Sequence, residues 1–427
     1  MAFVTIVLVL IVVYVRPGEV VPALEDYPLA VITLGLAACA ALVSFILRPF
    51  VFWRQPLDRY VLGFFAAAVL SNLSWGWAGG AYLALVAMTP VVLTYFLLRA
   101  ALQTPAHLRW TGYVLVALTL FQAVNGIRQY RSGVGLGGVA ALQYGSQGDD
   151  YEEVRRIRGT GIFNDPNDLA MALVAAVPFL IGPIIRKRSR LPVRLAFASG
   201  AVAEVLAIFY TSSRGGMLGL GAMVVSFALR LGRAAGVTVA AVALVVLVAL
   251  APSRMVELDS SEDSAQGRIQ AWSAGLEMLK SRPVLGVGYG RYTEFNHHVA
   301  HNSFVHVAGE LGMVGAFFFT GMMYWLLRGI RTAPAGVTPG LAGDFEIWRD
   351  DLRIGSLGLF VCALFLSRQY NMVLFIWLAL SASSRHVANA ESSAEARELR
   401  AGVVWALTLL GVVVVYVLVR LLAVWGG

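Results

Sequence analysis

Three groups of residues in this 427-residue chain have the types and spacing to do chemistry. The first is Arg155-Arg156-Ile157-Arg158, which runs through Gly159-Thr160-Gly161 into Phe163-Asn164-Asp165-Pro166-Asn167-Asp168. A guanidinium is a planar fork of donors that grips phosphate or carboxylate bidentately, so three of them at a helix mouth suit an anion. The second is Thr211-Ser212-Ser213-Arg214-Gly215-Gly216, where small residues let backbone N–H groups and one guanidinium face the same anion. The bland alternative is an Arg214 that snorkels to lipid headgroups. The third joins Arg268 and Trp272, in the stretch Gly267–Lys280, to Asn296-His297-His298-Val299-Ala300-His301-Asn302-Ser303-Phe304, which holds three of the six histidines. Imidazole titrates near neutral pH and can take a proton from a hydroxyl. Three readings stand open there: a general base, a metal pair from His297 and His301, and a hydrated helix start capped by His301 or Asn302. The base reading leads, because no Asp or Glu stands at the spacing of a zinc hydrolase signature.

The acidic residues mostly read as architecture. Asp165 before Pro166 has the form of an N-cap with proline at the first helical position, and Asp168 that of a capping-box acid. A metal site from Asp165 and Asp168 is the lesser reading, Asp149-Asp150 is a reserve candidate for a Mg²⁺-type site, and the expectation is no metal and no cofactor. Glu204 lies inside an apolar run, where a carboxylate is a functional candidate by default, and Asn164 and Asn167 are candidate supports for the arginines. Gly286-Val287-Gly288-Tyr289-Gly290 lacks the strand-turn-helix context of a phosphate loop and predicts turn geometry.

The elements that must position these groups are membrane helices. With 58% hydrophobic and 14% charged residues the chain exceeds the apolar share of a soluble domain. Apolar runs recur near 1–15, 29–47, 60–78, 81–98, 110–127, 167–185, 195–210, 216–229, 237–251, 304–327, 354–366, 371–384 and 401–424. The fold class is therefore an all-α polytopic membrane protein of about 12–13 transmembrane helices, with 1–427 as a single transmembrane domain. The first run has no basic n-region and no small-residue cleavage site, so it reads as a retained helix. A cytoplasmic N-terminus puts nineteen basic residues on the inner loops at 48–59, 99–109, 186–194, 230–233, 328–353 and 385–400, against Arg16, Arg214 and Arg368 on the short outer ones. The loops 128–166 and 252–303 then face outward, the second with an amphipathic helix whose Ile269, Trp272, Leu276 and Leu279 should lie along the membrane surface. The excess of 33 Lys+Arg over 25 Asp+Glu is thus topology, and nucleic acid is excluded as a partner. Cys39 and Cys362 both lie in apolar runs, which sets disulfides and Cys-ligated zinc aside.

Arginines, a histidine base and many spans suggest an outward-facing enzyme that handles a lipid-linked diphosphate. Residues 159–170, then Ser213-Arg214-Gly215, Gly267-Arg268 with Trp272, and His301-Asn302-Ser303-Phe304 resemble the O-antigen ligase and polymerase superfamily of bacterial envelopes. The resemblance covers about 155–325. It implies a membrane glycosyltransferase of the multi-helix, GT-C-like class in the bacterial inner membrane, metal-independent and inverting. A glycan would pass from undecaprenyl diphosphate to a hydroxyl of the lipid A core oligosaccharide on the periplasmic side, completing lipopolysaccharide. By motif, Arg214 and Arg268 would hold the diphosphate with help from Arg155, Arg156 and Arg158, and His301 would be the base. His297 and His298 crowd the single histidine of the family pattern, and an extra span at 401–424 follows its usual helices. A repeat-unit polymerase or a protein O-oligosaccharyltransferase would share the donor and differ in the acceptor. A polysaccharide or lipid transporter would need polar residues at the bilayer midplane and two related halves, and no internal repeat is visible.

Overall fold

The computed structural model describes all residues except 48–54, 145–153, 186–189, 232–235, 243–244, 246–264, 329–340, 393–400 and 426–427. The expected run at 237–251 and the pair Asp149-Asp150 therefore lie largely or wholly outside the described residues. The described helices of fourteen residues or more are α1 (Ala2–Val15), α2 (Leu29–Leu47), α3 (Pro56–Leu73), α4 (Ala78–Ala101), α5 (Pro105–Ser132), α6 (Pro166–Ile185), α7 (Leu191–Tyr210), α8 (Arg214–Ala228), α9 (Ala265–Ser281), α10 (Ser303–Arg328), α11 (Leu341–Phe365), α12 (Met372–Ser392) and α13 (Ala401–Trp425). Seven of them, α2, α4, α5, α6, α7, α10 and α13, are long and apolar enough to cross a membrane, and α1, α8 and part of α12 are shorter apolar helices. Most of the apolar surface of α2 and α13 is exposed, which only a lipid solvent tolerates.

The chain divides into two compact units. One comprises Met1–Pro49, Leu97–Met255 and Ile330–Cys362, the other Phe50–Phe96, Val256–Gly329 and Ala363–Gly427. The centre of the first is α6, whose Leu169–Val177 are buried without exception, packed by α5, α7 and α8. Its only described sheet is a two-stranded antiparallel ribbon, β1 (Leu142–Tyr144) with β2 (Val154–Arg156), pairing Gln143 with Arg155. In the second unit α10 packs on α3, α9, α12 and α13.

One expectation changes here. The span expected at 304–327 is one helix by extent, yet it breaks at Gly312, whose φ of 63° and ψ of −164° are not helical. The backbone groups freed by the break are met by the segment 283–288: Met313 N–H donates to Pro283, Val314 to Val284, Val287 to Gly309 and Gly288 to Glu310. Gly286 and Gly312 make the contact possible, since a Cβ on either would stand 2.3–2.5 Å from backbone atoms of the other segment. The glycine-rich run is thus a backbone dock for a broken helix. α9 carries the amphipathic stretch read in the loop 252–303: Ala271, Gly275, Met278 and Leu279 are buried, the helix packs on α10, and Ile269, Trp272 and Leu276 are half-buried.

Candidate functional site

In the first unit the arginine segment is held by a row of amides on α5. Gln122, Asn125 and Gln129 recur at intervals of three and four residues, so they share one face, and all are buried. Gln122 donates to Tyr14 O and to Thr160 Oγ1 (2.8 Å) and accepts from Thr160 N–H (3.1 Å). Asn125 Oδ1 accepts from Leu136 N–H at 2.6 Å. Gln129 donates to Val139 O and accepts from Arg158 N–H, both at 2.8 Å. Each amide thereby satisfies a backbone group of the described residues 136–139 or 158–160.

The arginines are then placed against the α7–α8 turn. Arg156 Nε donates to Thr211 O at 2.9 Å and Ile157 N–H to Tyr210 O at 3.0 Å. Arg158 donates to Ala140 O and, at 2.7 Å, to Asn164 Oδ1. Asn167 Oδ1 accepts from Ser213 Oγ at 2.7 Å, tying the start of α6 to the cap of α8. Asp165 Oδ1 accepts from Asn167 N–H at 2.7 Å, the N-cap its position before Pro166 predicts. Ser213 caps α8 through Gly216 N–H, so Arg214 is the first residue of that helix, half-buried beside the positive end of its dipole. The Arg155–Arg158 segment and Arg214 thus meet at one end of one unit. Glu204 is fully buried, and its Oε1 accepts from Thr119 Oγ1 of α5 at 2.6 Å. Oε2 has no hydrogen-bond partner among the described residues.

Arg268 and the histidines belong to the second unit. Trp272, one turn after Arg268 on α9, donates its indole N–H to Ala300 O at 2.8 Å, the carbonyl just before His301. Tyr292 donates to Ala271 O at 2.6 Å from the same segment. His301 is held with φ at 47°, a left-handed conformation uncommon for histidine. Asn302 is the cap of α10, its Oδ1 accepting from Phe304 and Val305 N–H. His297 is exposed and His298 half-buried. Ser303 Oγ donates to Leu366 O and accepts from Arg368 N–H, fastening this helix start to the α11–α12 connection.

The sequence reading missed a buried polar hub on α10. Glu310 accepts from Tyr292 N–H (2.9 Å) and the Tyr370 hydroxyl (2.8 Å), and lies 3.1 Å from His306 Nε2. The His306 ring stacks on Tyr292 at 4.4 Å. Burial, and then the nearby Glu310 charge, push the Tyr370 phenol well above its usual range, raise that of Tyr292, and push that of Tyr289 up to about 12. These phenols stay protonated, and those of Tyr292 and Tyr370 serve as donors. The signal was available, since Glu310 is a carboxylate in an apolar run as Glu204 is. The α5 amides were legible only as polar residues at helical spacing. Among the described residues no three of His, Cys, Asp and Glu gather as a metal cluster.

No curated protein matches the chain. Residues 199–320, which include Glu204, the Arg214 turn, α9, His301 and the α10 break, match the family model described as O-antigen ligase.

Proposed function

We propose that the protein is an O-antigen ligase that moves a glycan from undecaprenyl diphosphate to a hydroxyl of the lipid A core on the periplasmic face of the inner membrane. The observation that carries this reading is the family match over 199–320, which contains Arg214, Arg268 and His301. In the step itself the acceptor oxygen attacks the anomeric carbon from the face opposite the diphosphate, the carbon–oxygen bond to the diphosphate breaks, and the configuration inverts. Negative charge grows on the departing diphosphate, and Arg214 and Arg268, with Arg155, Arg156 and Arg158, stabilise it. His301 takes the proton of the acceptor hydroxyl, its position fixed by the Trp272–Ala300 bond on one side and the Asn302 cap on the other. The arginines supply the positive charge that a metal would otherwise bring, so the reaction proceeds without one.

The test is the lipopolysaccharide banding of a strain lacking the gene, beside its parent and a His301→Ala complement. The ligase reading requires loss of the long-chain ladder to bare core, with glycan accumulating on its lipid carrier. Core bearing a single repeat would mean a repeat-unit polymerase, and an unchanged ladder would redirect the search to glycoprotein or exopolysaccharide.

A further inference from the structure

The most unusual exposed surface of the second unit is an alternation of indoles and guanidiniums around the α3–α4 turn. Arg282 lies over the Trp75 ring at 4.4 Å, and Arg291 lies over the same ring at 4.8 Å and over Trp77 at 5.6 Å. Both indoles are exposed, Trp75 at 38% and Trp77 at 41%. The arrangement is built rather than incidental. Asn72, near the end of α3, donates to Gly80 O and Tyr289 O, and Ser71 Oγ accepts from Tyr289 N–H, so the turn and the segment carrying both arginines are fastened together. The Trp77 ring lies flat on Gly80, where a Cβ would stand 2.1 Å from it.

The two cations differ. Arg291 is neutralised by Glu294 at 2.8 Å and donates to Val287 O, so it acts as a fixed post against both indoles. Arg282 is exposed and has no carboxylate partner among the described residues, which leaves the cluster one positive charge in surplus. A guanidinium laid over an indole keeps its in-plane N–H groups for an acceptor, and the stack limits the rotamer freedom it loses on binding.

Position decides the acceptor. The patch adjoins the first residue of α4, a candidate membrane span, and below it α3 and α4 expose Leu70, Leu73, Tyr82 and Leu83. Half-exposed tryptophans and a surplus cation at the rim of an apolar band are the residue types that a lipid–water interface favours. We propose that Arg282, backed by Trp75, binds the phosphate of an anionic phospholipid headgroup in the leaflet where α4 begins. This site is independent of the proposed transfer reaction.

The experiment is native mass spectrometry of the full-length protein released from mixed micelles holding equal amounts of phosphatidylglycerol and phosphatidylcholine. The wild-type chain should retain phosphatidylglycerol preferentially. Arg282→Gln should cut that preference about fivefold, the factor that one surface cation contributes near a membrane. Trp75→Phe, which keeps a ring under the guanidinium, should retain it, whereas Trp75→Leu should not. Arg190→Gln, at the basic loop before α7, reports the background from other cations and should leave the preference in place. Equal loss in Arg282→Gln and Arg190→Gln, or none in either, overturns the site. Displacement of the bound lipid by inorganic phosphate at matching concentration overturns the lipid assignment in favour of a free-anion site.

Discussion

Replacing Gln122 by leucine tests whether the α5 amides position the arginine segment. Leucine has nearly the volume of glutamine, so packing is conserved while three hydrogen bonds vanish. Two of the partners left behind, Tyr14 O and Thr160 N–H, are backbone groups, and Thr160 is 0% exposed. Each buried polar group left unsatisfied costs about 1–3 kcal/mol, which gives about 2–6 kcal/mol for the pair. The segment 159–163 can open more cheaply than the helix bundle can unfold, so the cost should appear there and not as global unfolding. The expected outcome is faster amide exchange at 155–163, normal insertion, and loss of transfer through misplaced arginines. Gln122→Glu keeps the acceptor for Thr160 N–H but loses the donor to Tyr14 O, and should fall between the two. Wild-type exchange and full transfer in Gln122→Leu would refute the positioning argument, because orphaned groups this deeply buried cannot be silent.

The remaining predictions concern the reaction. His301→Ala should abolish transfer without loss of protein from the membrane, and His301→Gln should not rescue it, since glutamine restores hydrogen bonding but takes no proton; in vitro transfer by either variant would remove the base role. Arg214→Lys and Arg268→Lys should each weaken donor use, because an ammonium cannot match a bidentate guanidinium, and unchanged donor affinity in both counts against the anion site. Transfer should survive exhaustive chelation; activity lost to chelator and restored by Mg²⁺ or Mn²⁺ would return attention to Asp149, Asp150, Asp165 and Asp168.

What the sequence disclosed and what it hid follow from the range of the interactions. One local signal held: Asp165 caps the helix that Pro166 opens, where its neighbour proline puts it. Apolar runs located the membrane helices because hydropathy needs only a window of chain. The division of the candidate residues between two units was hidden, since it depends on contacts between segments far apart in sequence. The break in α10 was hidden for a sharper reason. Within the apolar run 304–327 Gly312 looks like an ordinary small residue, and a glycine in a membrane helix predicts close packing as readily as a kink. What selects the kink is the segment 283–288, some 25 residues upstream, whose backbone offers the partners that an unbroken helix would not need. The same docking sets the level at which Glu310 meets Tyr292 and Tyr370, so the polar hub and the broken helix are one construction: the carbonyl of Glu310 receives Gly288 N–H while its carboxylate receives Tyr292 and Tyr370. A hydropathy profile registers Glu310 as an isolated cost, and only the fold reveals the donors that make it stable.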